Sequence, residues 1–129
     1  MASIRKEFSL DADAARVWDA LRDVGNVHTR LARGFVTDCR LDGGERIVTF
    51  ANGFVARELI VDVDPAARRL AYSAKSERLQ HHHASFQVFE EGPARCRLVW
   101  IADVLPEAAA ATIGAMMEQG IAAMRETLG

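Results

Sequence analysis

The chain of 129 residues is half hydrophobic and 26% charged, with a formal net charge of -2. That length suits one domain around one core, and the composition is globular rather than disordered. Lysine and arginine are spread along the chain, and pairs such as Arg68-Arg69 and Arg95/Arg97 fall short of the clustered basic face that nucleic-acid binding requires. No run approaches the ~18 consecutive apolar residues of a membrane span. Arg5, Lys6 and Glu7 stand where a signal peptide would need its apolar core. The expectation is a cytoplasmic protein with no nucleic-acid partner and no membrane insertion. In a reducing compartment Cys39 and Cys96, the two cysteines, stay thiols and act as small buried hydrophobes on strands.

Ile4 to Leu10 alternates in character and predicts a first strand. Asp11 or Asp13 then caps a helix carrying Val17, Trp18, Leu21 and Val24, which stops at Gly25. Asn26 to Arg33 is taken as a second short helix ending at Gly34. Asp42-Gly43 and Asn52-Gly53 are dipeptides that tolerate the positive φ of tight hairpins. They separate strands at about Phe35–Leu41, Arg46–Ala51 and Phe54–Val63. After a turn at Asp64-Pro65 come strands at Arg69–Ala74, His81–Glu90 and Arg95–Val104, the last two joined through Glu91-Gly92-Pro93. Pro106 suits the first position of a final helix, whose face of Ile113, Met117, Gly120, Ile121, Met124 and Leu128 runs about six turns, or about 34 Å.

The order is strand, two helices, six strands, long helix. One face of such a sheet needs a cover, and the last helix is the element large enough to supply it. A twisted sheet wrapped on one helix leaves a space where the two diverge, and that space is the expected cavity. With this order, and with Ala14-Ala15-Arg16-Val17-Trp18, Arg57 to Asp64, Arg68-Arg69-Leu70-Ala71-Tyr72 and Ala94 to Trp100 in their places, the chain resembles the SRPBCC superfamily, the START-like helix-grip fold, and within it the polyketide cyclase/dehydrase and lipid-transport group. The resemblance covers nearly the whole chain, 1–129, as one ligand-binding domain. It implies an α+β fold: a curved antiparallel sheet of seven strands around a long C-terminal helix, with two short helices between the first and second strands. The family's members include carriers, receptors, cyclases and RNases, and a tendency towards homodimers carries over by analogy.

Glu58 draws two opposed expectations. Hydrophobicity alone turns Val55, Arg57, Leu59, Val61 and Val63 inward and Glu58 outward, to pair with an arginine; the resemblance turns the acidic residue at 58 towards the cavity. Inward, it is a desolvated carboxylate fit to act as acid or base. Tyr72, the single tyrosine, offers an apolar body with one hydrogen-bonding tip, on a strand antiparallel to that of Glu58. His81, His82 and His83 alternate faces on a strand, so they lack the third ligand that a stable zinc site needs, and no metal is expected. His82 shares a face with Ala84, Phe86 and Val88 and is a candidate polar group at the cavity end, while His28 is a candidate at its mouth. Phe86, Leu98, Trp100, Met117, Gly120, Ile121 and Met124 are candidate wall residues, each with an ordinary core role as the alternative. Gly120 inside a helix costs about 1 kcal/mol against alanine, which points to a packing or cavity reason.

The chain has no Gly-rich phosphate loop, nucleophile elbow or dinucleotide fingerprint, so no cofactor is expected. The leading expectation is a protein binding a small hydrophobic molecule: a lipid, polyketide or aromatic metabolite. The alternatives are a cyclase or dehydratase using Glu58 and Tyr72, with His82, for proton transfer, and an interaction or stress-related domain with an incidental cavity.

Overall fold

The computed structural model describes residues 1–129. Its sheet has seven antiparallel strands: β1 (Ala2–Leu10), β2 (Val36–Asp42), β3 (Glu45–Phe50), β4 (Val55–Asp64), β5 (Arg69–Lys75), β6 (His81–Glu90) and β7 (Cys96–Leu105). The spatial order β1-β7-β6-β5-β4-β3-β2 is a meander in which β1 pairs with the last strand. Helix α1 (Ala14–Arg22) follows β1, and helix α2 (Ala110–Leu128) lies on the concave face. This is the helix-grip architecture. No helix is long and apolar enough to cross a membrane.

Asp13 caps α1, accepting from the Ala15 N–H at 3.4 Å. The second short helix is a single π turn, Val27–Leu31, closed by the Ala32 N–H donating to the Val27 carbonyl at 2.9 Å. The first hairpin turns on Gly43-Gly44, one residue later than expected, because Asp42 and Glu45 are still paired. Pro106 is extended (φ -72°, ψ 160°) and precedes a short 3-10 turn, Glu107–Ala109, so the α-helix begins only at Ala110. Its 19 residues span about 28 Å, shorter than the six turns expected.

Both ends of α2 matter for the cavity. Every buried residue of the helix lies at Met117 or beyond. The C-terminal end is clasped: the Asp11 N–H donates to the Gly129 carbonyl (3.0 Å), Arg16 to the Leu128 carbonyl (3.2 Å), and the Arg33 N–H to Thr127 Oγ1 (3.1 Å). There Ile121, Met124 and Leu128 join the core with Phe8, Leu10, Leu21 and Leu98. Towards its N-terminus the helix lies beside Ile4 of β1 at Gly114, while Thr112, Ile113 and Met116 face an open space. Cys39 and Cys96 are buried free thiols, as expected of small hydrophobes on strands.

Candidate ligand-binding cavity

Strand alternation sets the inner face. On β4 it is Ala56, Glu58 and Ile60, with Phe54 just before the strand, that turn towards α2, whereas Val55 and Leu59 are 54% and 40% exposed on the convex side. The expectation from hydrophobicity alone is therefore overturned at these positions, and Glu58 faces inward, 8% exposed. The convex face carries no covering element, so its apolar residues have nothing to pack under. A bulge between Ile60 and Asp62 then shifts the phase, leaving Val61 exposed and setting Val63 opposite the buried Leu70.

Arg46 on β3 is the direct cross-strand partner of Glu58, and its Nε donates to Glu58 Oε1 at 2.7 Å. Sequence reasoning did not single out this arginine. It is 5% exposed, lies 5.1 Å from the centroid of the Tyr72 ring, and reaches the Val24 carbonyl through Nη1 at 3.5 Å. Burial works against the guanidinium charge, but the Glu58 carboxylate and the neighbouring Tyr72 and Cys39 together outweigh it, so the Arg46 pKa is raised. The pair is a buried ion pair on the wall of an apolar space.

Tyr72 accepts a hydrogen bond from Trp100 Nε1 at 3.0 Å and finds no acceptor in the protein for its own proton. Burial, reinforced by the Glu58 carboxylate, pushes the phenol well above its usual range. It is a hydrogen-bond donor, not a base. His82 Nδ1 accepts from the Ala74 N–H at 2.9 Å, so the neutral ring carries its proton on Nε2. Burial lowers the His82 pKa, against an opposing pull from Glu58. The small Ala74, paired with Glu58 on the adjacent strand, leaves the space between carboxylate and imidazole open.

A folded-state histidine pKa below its unfolded value means that the unfolded chain binds more protons as pH falls. Stability should therefore drop as pH goes down through about 6.5, the unfolded histidine value. His82→Asn, measured by thermal unfolding from neutral pH to about 5.5, should lose that part of the slope; an unchanged slope would contradict the assignment.

These groups line a cavity of about 720 Å³ between sheet and helix, with 23 of its 32 lining residues hydrophobic. That volume is within the ~300–1,000 Å³ of small-molecule sites. Phe86 and Trp100 stack at 4.8 Å on one wall, and Phe35 and Phe50 meet edge-on at 5.2 Å on another. Asn52, Arg78, Ala108 and Thr112, the exposed members of the lining, mark the mouth. Gly120 has the close approach its cost implied: a β-carbon there would meet the Trp100 ring at 3.2 Å and Phe35 at 3.4 Å.

Of the residues expected on the wall, Glu58, Tyr72, His82, Phe86, Trp100, Met117, Gly120 and Met124 come together there. Leu98 and Ile121 instead lie in the core, at 0% and 5% exposure. His28 belongs to the π turn, which gives Val27 and Leu31 to the lining but not His28. His81 is exposed and His83 half-buried, and no three His, Cys, Asp or Glu side chains converge on a metal geometry.

A sheet gripping a helix over a largely apolar cavity defines the START-like class. The family model for polyketide cyclase/dehydrase and lipid transport matches residues 1–129, and the chain belongs to that family. No curated protein sequence matches it. Among solved structures, a Thermobifida fusca protein is 26% identical, with a TM-score of 0.78 over 98% of this chain and 92% of its own. A START superfamily protein from Mycobacterium smegmatis is 13% identical, with a TM-score of 0.81 over 98% and 96%. Norcoclaurine synthase from Thalictrum flavum, solved in complex with dopamine and hydroxybenzaldehyde, is 17% identical with a TM-score of 0.71, over 98% and 83%.

Proposed function

We propose that this protein binds one small, largely hydrophobic molecule, of lipid, polyketide or aromatic type, between the sheet and α2. The observation that carries this reading is the cavity itself: about 720 Å³, walled largely by apolar side chains, with the buried polar groups Arg46, Glu58, Tyr72 and His82 on neighbouring strands β3 to β6. The description of the family and the two aromatic molecules held by norcoclaurine synthase in the same fold support it.

Binding is favoured over proton-transfer catalysis by the state of the polar groups. A general base needs a free lone pair near the substrate proton. The His82 Nδ1 lone pair is taken by a backbone N–H, Tyr72 keeps its proton, and Glu58 is held by Arg46 through Oε1, which leaves Glu58 Oε2 as the one candidate base. These groups can hold and orient an oxygen-bearing guest better than they can move its protons.

Native mass spectrometry of the purified protein, set against its denatured mass, should reveal a non-covalent companion of small-molecule mass. Extraction would then give its chemical class. If Glu58→Gln and Tyr72→Phe change only affinity for that molecule, the binding reading stands. If they leave affinity intact and abolish a measurable conversion of it, the protein is an enzyme.

A further inference from the structure

We propose that the cavity selects neutral guests presenting a carbonyl or phenolic oxygen to Tyr72, His82 and Arg46, and discriminates against carboxylates of the same shape. This rests on the ligand-binding reading above and adds a charge and hydrogen-bonding class to it.

The donors outnumber the acceptors. The Tyr72 hydroxyl proton, the His82 Nε2–H and the Arg46 Nη2 donate to no atom of the protein. Glu58 receives from Arg46 through Oε1 at 2.7 Å, which leaves Oε2 as the one free carboxylate oxygen against these three donor groups. A guest without acceptor atoms would leave those donors desolvated and unpaired. A ketone or phenol oxygen satisfies them.

The charge is already balanced. Arg46 and Glu58 are both about nine-tenths buried or more and cancel one another, while Tyr72 and His82 are neutral. A carboxylate would bring an uncompensated charge into an apolar enclosure beside Glu58. A neutral carbonyl takes the same hydrogen bonds without that penalty.

The test uses naphthalene, 2-acetylnaphthalene and 2-naphthoate, three probes sharing one ring system. Binding is read at neutral pH from Trp100 emission in a Trp18→Phe background, Trp18 and Trp100 being the two tryptophans. The ketone should bind about tenfold more tightly than naphthalene, the effect of pairing otherwise unsatisfied donors. It should also bind more tightly than the naphthoate. Glu58→Gln leaves the Arg46 charge uncompensated and should move the naphthoate ahead of the ketone. Tyr72→Phe, which removes one hydroxyl and keeps the ring, should narrow the gap between ketone and naphthalene even if the Glu58 variant fails to fold. Equal binding of ketone and naphthalene, or naphthoate binding tightest before substitution, overturns the proposal and leaves ligand binding standing. Failure of all three probes to bind overturns both.

Discussion

Arg46→Met is expected to destabilise the fold by about 3–5 kcal/mol, because it strands the Glu58 carboxylate in an apolar wall without its partner. The two side chains are 7% and 11% exposed, so water does not take over the lost contact. The double variant Arg46→Met, Glu58→Met removes both charges and keeps the volume, and should recover most of the loss. Replacing a buried pair by apolar groups is commonly neutral or stabilising, while breaking it is costly. Urea unfolding of the two single variants and the double one measures this. A cost below about 1 kcal/mol for Arg46→Met would mean that Glu58 is solvated or has another partner, against the burial on which the charge argument stands.

The second large effect separates wall from core. Leu98 is fully buried, so Leu98→Ala should cost about 2–5 kcal/mol, the lost transfer energy plus a new void. Met117 is also buried, at 3% exposure, but its side chain faces a space that already exists. Met117→Ala should enlarge that space without opening a new one and fall at the low end, about 2 kcal/mol or less. Equal costs at the two positions would indicate that α2 packs on the sheet at Met117 as tightly as in the core.

Much of the fold was legible in the sequence because the elements announce themselves locally. Alternation marked β1, turn dipeptides and Glu91-Gly92-Pro93 separated the later strands, and an apolar helical face from Ile113 to Leu128 marked α2. The inner face of β4 was not legible from hydrophobicity. Val55, Leu59 and Val61 are apolar yet stand on an uncovered convex face, and only the resemblance placed Glu58 inward.

Arg46 was missed for a reason of register. A two-residue turn at Asn52-Gly53 would pair Ala51 with Phe54 and so set Arg46 opposite Leu59. The turn instead holds Ala51, Asn52 and Gly53, with the Phe50 N–H donating to the Phe54 carbonyl at 2.8 Å and Gly53 at φ +87°. That single extra residue moves Arg46 opposite Glu58 and onto the cavity face. An inward carboxylate on a buried strand does call for a cation nearby, and that electrostatic demand was the one signal in the sequence pointing to an arginine on β3.

Leu98, Ile121 and His28 show the complementary difficulty. Periodicity tells which side of a strand or helix faces inward, but not whether the inward side meets another side chain or open space. That depends on how far the N-terminal half of α2 stands off the sheet, and no local pattern encodes that distance.

Whether a guest enters the space between the sheet and α2 is read from a titration with the neutral dye N-phenyl-1-naphthylamine. Saturable one-to-one binding with quenching of Trp100 is expected, and it should be lost in Ala74→Leu, which fills the gap between Glu58 and His82 while the variant still unfolds cooperatively. Binding that never saturates, or that Ala74→Leu leaves untouched, would place the dye elsewhere and contradict the account.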